Sequence, residues 1–138
     1  MEQKEWDDIK TIDVPSAPNA IWTLALDYVP ANTVLRLTAT GTWHYAPNAT
    51  CGPDGDRNPQ VTRAAMTGIA PIGAVIGRIG GSMASVPKAD DTGVFAVGSF
   101  AVITAQSAGP LFLTINLSPS QFLPAPENMK VTISEFAP

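Results

Sequence analysis

The sequence predicts an all-β sandwich. Thirteen prolines and eleven glycines are spread along 138 residues. Short β-branched runs lie between these breakers, and no long segment carries helical period. At this length the chain makes one domain, residues 1–138, large enough to bury a core without disulfide staples. Hydrophobic residues make up 45% and charged residues 14%. That charge content is well below the usual share of about a quarter, and a disordered chain shows the opposite bias.

Residues 4–13 read as a first strand with Trp6, Ile9 and Ile12, ended by Pro15. Ile21 to Val29 is a second apolar run with imperfect alternation, stopped by Pro30-Ala31-Asn32. Val34 to Tyr45 is the clearest strand. Leu35, Leu37, Ala39, Trp43 and Tyr45 fall on one face; Arg36, Thr38, Thr40, Thr42 and His44 fall on the other. Gly41 within it points to a bulge or a close backbone approach.

The stretch His44 to Gly55 then ends in Pro53-Asp54-Gly55, which suits a type I turn with Pro second and Gly fourth. Thr50 to Thr67 reads as a long polar connection. Ile69 to Ile79 is an apolar strand closed by Gly80-Gly81, and Ser82 to Gly93 is a loop. Val94 to Thr104 is a strand or a bent strand pair around Gly98. Ala108-Gly109-Pro110 turns into Leu111 to Leu117, where Leu111, Leu113, Ile115 and Leu117 alternate with Phe112, Thr114 and Asn116. Ser118 to Asn128 is a proline-rich loop. Met129 to Phe136 closes the fold with Met129, Val131 and Ile133 inward. Seven or eight strands suit two packed sheets or a jelly roll.

The net charge of −4, with eight scattered basic residues, argues against a nucleic-acid surface. No apolar run approaches the roughly 20 residues of a membrane span. Cys51 is the sole cysteine, so no intrachain disulfide forms. The first ten residues, MEQKEWDDIK, lack the apolar core of a signal peptide. The expected location is cytoplasmic, or exported without a cleaved signal.

Catalytic and metal signals are weak. His44, the sole histidine, sits on the polar face of a strand, and no nucleophile elbow accompanies it. Asp54, Asp56 and Asn58 mimic the start of a calcium loop. Pro59 and Ala65 stand where an EF-hand needs Gly and Glu, which rejects that motif. His44, Cys51, Asp54 and Asp56 lack zinc-site spacing. An enzyme is not expected. Trp6, Trp22, Trp43, Tyr28 and Tyr45 could stack on a sugar, but the apolar face holding Trp43 and Tyr45 favours core packing.

The stretches GTWHYAPNATCGPDGD and APIGAVIGRIG, followed by LFLTIN and a closing VTI strand, resemble the bacterial galactophilic lectin family of the PA-I or LecA type. The likeness runs from about residue 28 onward and rests on Tyr45, Pro47, Gly52, Pro53, Gly55, Asp56 and Arg57. It implies a jelly-roll-like β-sandwich of the galactose-binding-domain type. It also implies one Ca²⁺ bridging to sugar hydroxyls, with the backbone carbonyl of Tyr45 as one ligand.

The chain departs from that pattern where the ligands should be. A gapless alignment puts Leu117 at the acidic ligand, Pro124 and Ala125 at an asparagine pair, and Pro59 at the sugar-contacting histidine. None of the first three ligates a hard cation through its side chain. A shifted loop would instead bring Glu127 and Asn128 beside Asn116, so a surviving calcium site would use Tyr45, Asn116, Glu127 and Asn128. Otherwise the chain carries no cofactor. The function expected is a carbohydrate-binding, lectin-like module with a diverged site that reads glycan hydroxyls through Asn48, Asp54, Gln121, Glu127 and Asn128. The alternative is a structural or protein-interaction module that has lost sugar binding. Its low charge content would then hide a homo-oligomer interface.

Overall fold

The computed structural model describes residues 6–15, 22–46, 49–55, 70, 73–80, 94–116 and 128–136. Ten strands lie among them: β1 (Trp6–Pro15), β2 (Thr23–Val29), β3 (Val34–Thr40), β4 (Trp43–Ala46), β5 (Ala49–Cys51), β6 (Val75–Ile79), β7 (Val94–Ala96), β8 (Phe100–Thr104), β9 (Gly109–Ile115) and β10 (Asn128–Phe136). Two four-stranded antiparallel sheets form the sandwich, ordered β1-β10-β3-β8 and β2-β9-β6-β7. β4 and β5 make a separate hairpin. The all-β sandwich expected from the sequence is the fold observed.

The core lies between the sheets. Leu35, Leu37 and Ala39 of β3 and Met129, Val131 and Ile133 of β10 meet Leu111, Leu113 and Ile115 of β9. Each of these is fully or almost fully buried. Removing a large aliphatic side chain of this kind from water contributes about 1.5–3 kcal/mol. β10 obeys the alternation read from the sequence, with its inward residues paired into β3 at Val131↔Ala39 and Ile133↔Leu37.

β9 departs from simple alternation, because Leu111 through Asn116 are all buried. The two-residue period still sorts them. The leucines and Ile115 join the main core, while Phe112 joins Trp22, Ile76 and Val94 in a second cluster. Arg78 lies over the Trp22 ring at 4.6 Å and the Phe112 ring at 5.5 Å.

Several expected boundaries move. The strand read as Val34 to Tyr45 divides into β3 and β4 because Gly41 adopts φ 122°, which L side chains avoid. That break and β5, inside the stretch read as a polar connection, raise the strand count above the expected seven or eight. Within the apolar run from Ile69, the described residues turn at Gly73 and enter a strand at Val75. In β2 the buried side chains are Ala25 and Val29, while Leu24 and Tyr28 are exposed. Two register shifts against β9 explain the broken alternation. Ile9 is likewise exposed, at the bulge between Asp8 and Lys10. The bent pair around Gly98 is as expected, and the bend carries the chain from one sheet to the other.

Candidate functional site

The antiparallel registers bring particular strand ends to one end of the sandwich. Val75 pairs with Ile115, Thr40 with Lys130, Thr38 with Phe100, and Asn128 with Pro15. The start of β6, the end of β9, the end of β3 and the start of β10 therefore share that end. The β4–β5 hairpin continues from it.

In the hairpin Trp43 pairs with Cys51 and His44 with Thr50, and the register then shifts so that Ala46 faces Ala49. Tyr45 falls at the shift and has no partner across the ladder. An extra residue of this kind is left out of ladder pairing. This is the residue to which the sequence resemblance gives a ligating carbonyl.

A turn follows, closed by the Gly55 N–H donating to the Gly52 carbonyl at 3.0 Å, with Gly55 at φ 77°. It is the turn expected from Pro53-Asp54-Gly55. Asp54 projects from it as an exposed carboxylate. Its Oδ1 accepts from the Ser99 N–H at 2.7 Å, and its Oδ2 accepts from the Ser99 hydroxyl at 2.9 Å. The backbone completes the link: Val75 N–H donates to the Pro53 carbonyl, and the Val75 carbonyl accepts from Val97 N–H and Gly98 N–H. Gly98 is needed here. Its φ is +64°, and a Cβ on it would stand 2.6 Å from Asp54 Oδ1.

A second junction sits beside the first. The Gly73 carbonyl accepts from Trp43 Nε1 at 2.9 Å and lies 3.7 Å from the Cys51 Sγ donor. Gly73 N–H donates to the Asn116 carbonyl, and Asn116 N–H donates to the Ala74 carbonyl. The Asn116 side chain is fully buried, and its Nδ2 donates to the Ala70 carbonyl at 2.8 Å.

Of the residues singled out from the sequence, Asp54, Asn116, the Tyr45 backbone and the Asn128 backbone stand at this end. Asn48, Gln121 and Glu127 lie outside the described residues, as do the side chains of Tyr45, His44 and Asn128. Ser99 and Gly73 were not anticipated. Each bonds to a residue far away in sequence, and no local pattern announces such a pairing.

The Asn116 amide nitrogen is held by the Ala70 carbonyl, so a cation would be met by its amide oxygen. Among the described residues no three His, Cys, Asp or Glu side chains gather into a metal-binding group.

No known family profile matches the chain, and no curated protein matches it. Among solved structures it is similar to one described as the EclA N-terminal domain, a PllA-like lectin. The TM-score is 0.66 at 16% identity, over 93% of this chain and 97% of that one. A likeness at this identity shows the fold: the chain has a lectin-like β-sandwich.

Proposed function

We propose that the chain is a carbohydrate-binding module, related to the galactophilic lectins, whose ligand end is the end carrying the hairpin. The observation that carries this reading is the Asp54 carboxylate. It is exposed, and Ser99 fixes both of its oxygens in orientation. A carboxylate oxygen accepts more than one hydrogen bond, so each retains capacity for a sugar hydroxyl. An acceptor already held in place loses little freedom when a ligand arrives. Asn48, Gln121, Glu127 and Asn128 would add amide and carboxylate groups from the two flanking connections. The fold shared with a lectin domain supports the same reading.

Binding is tested on a broad glycan array, followed by melting curves with each candidate sugar. A raised midpoint with a bound glycan supports the reading; no array signal and no shift with any sugar overturns it. Calcium is tested separately, by melting metal-stripped protein with and without millimolar CaCl₂. Selective binding to the native state adds about 2.7 kcal/mol at a hundredfold excess over Kd. A shift would support a calcium site built from the Tyr45 carbonyl, Asn116, Glu127 and Asn128; its absence would leave metal-free hydroxyl recognition.

The second reading, a protein-interaction module, is favoured by one separate observation. Phe100 and Val102 are 60% and 50% exposed on a strand at the edge of a sheet.

A further inference from the structure

We propose that β8 is a self-association edge, along which two copies of this chain pair antiparallel about a two-fold axis at Val102. The proposal does not depend on sugar binding, since it concerns a sheet edge and not the hairpin.

Among the described residues the two sheets present four edge strands: β1, β8, β2 and β7. Exposed edges invite pairing with other chains, and proteins usually blunt them with charge, proline, bulges or short length. β1 carries Asp7, Asp8, Lys10 and Asp13, has a bulge after Asp8 and ends on Pro15. β2 carries Asp27 and has two register shifts. β7 is three residues long. β8, Phe-Ala-Val-Ile-Thr, has no charge, no proline and no register shift against β3. It is the one unguarded edge of the four.

The backbone groups that β8 leaves unpaired among the described residues can be assigned. Ala39 N–H donates to the Ser99 carbonyl, and Ala105 N–H donates to the Thr33 carbonyl. In an antiparallel ladder, hydrogen-bonded pairs recur every second residue. Ser99, Ala101, Ile103 and Ala105 therefore face β3, and Phe100, Val102 and Thr104 turn their N–H and C=O groups outward. The same three residues are the exposed ones of the strand.

A second copy of β8 fits this edge because the strand is centred on Val102. Antiparallel pairing about that residue sets Val102 against Val102 of the second copy, and Phe100 against Thr104 of the second copy. All three outward residues then meet hydrogen-bonding partners at once. No like charges face each other, although each copy carries a net charge of −4. The exposed Phe100 and Val102 side chains gain apolar neighbours across the junction. A closed two-fold contact uses one patch twice and does not propagate into filaments. Five residues per side make a small interface compared with the roughly 1,200–2,000 Å² of stable complexes, which suits a micromolar or weaker dimer.

The test is sedimentation equilibrium of the full chain from micromolar to millimolar concentration, together with Val102→Lys and Val102→Glu. The wild type is expected to approach twice the monomer mass. Each charged variant alone should remain monomeric with a near-wild-type melting midpoint, and an equimolar mixture of the two should regain association. A wild type that stays monomeric throughout, as a docking site for a foreign strand would leave it, overturns the proposal. So do variants that associate as the wild type does. Amide exchange supplies a readout without mutation. The Phe100, Val102 and Thr104 amides should slow as concentration rises, while Ala101 and Ile103 stay slow at every concentration. Unchanged rates at the three outward amides, at concentrations where mass doubles, overturn the assignment to β8.

Discussion

Asp54 grips Ser99 with both carboxylate oxygens across a separation of 45 residues. The contact ties the turn after the β4–β5 hairpin to the bend where the chain passes between sheets. It belongs to the architecture of the hairpin end as much as to any ligand site there.

Replacing Asp54 by Ala should therefore cost stability before it costs binding. Two hydrogen bonds to an ionised acceptor at an exposed site are worth about 1–3 kcal/mol together. Ser99→Ala should cost less, since the Ser99 backbone N–H bond survives. Denaturant melts of both single variants and the double variant check this. A coupling energy near zero would mean that the pair contributes nothing jointly.

The two tryptophans Trp22 and Trp43 are both fully buried and differ in one respect. Trp43 Nε1 donates to Gly73, whereas Trp22 Nε1 has no hydrogen-bond partner among the described residues. Trp43→Phe loses packing and a buried bond, for a cost of about 2–4 kcal/mol; Trp22→Phe loses packing but relieves an unpaired donor, for about 1–2 kcal/mol. The ordering of the two melting midpoints decides the point.

Gly77 lies in the middle of β6 with the Phe95 ring against it. An added Cβ would stand 2.7 Å from Phe95 Cε1 and Cζ and 3.2 Å from Leu113 Cδ2. Gly77→Ala should destabilise by about 1–3 kcal/mol through overpacking. Gly77→Ala combined with Phe95→Leu should recover part of that loss. Thermal melts of both variants measure it.

Binding and stability should separate along the hairpin end. Asn116→Ala removes a buried amide that holds Ala70 and should lower stability by about 1–3 kcal/mol, with or without calcium. Gln121→Ala and Asn48→Ala should weaken glycan binding with little effect on the midpoint. Paired melting curves and glycan titrations for the three variants read both quantities.

The sheets were legible where a strand has one buried face. Met129, Val131 and Ile133 could be read inward from alternation alone, because the opposite face of β10 carries Lys130, Thr132 and Ser134. β9 was legible in position but not in burial, since Phe112 and Thr114 look like an outer face and are enclosed all the same. The division of β3 from β4 hinged on one backbone angle at Gly41. A glycine shows only that such an angle is permitted. The Pro53-Asp54-Gly55 turn was legible because turn chemistry is local. The bonds from Asp54 to Ser99 and from Trp43 to Gly73 join residues that only the folded sheets bring together, and no spacing in the sequence encodes them.

The order of strands in the first sheet has a consequence for synthesis. β10 is the last described strand to leave the ribosome, yet it lies between β1 and β3, two of the earliest. Until residues 128–136 emerge, β1 and β3 have no strand to join them, and the edges that pair with β10 wait without their ladder. Strands that wait for distant partners fold slowly and are prone to aggregate. A nascent chain arrested short of residue 128 should hold the β3–β8 pair and leave β1 without its partner.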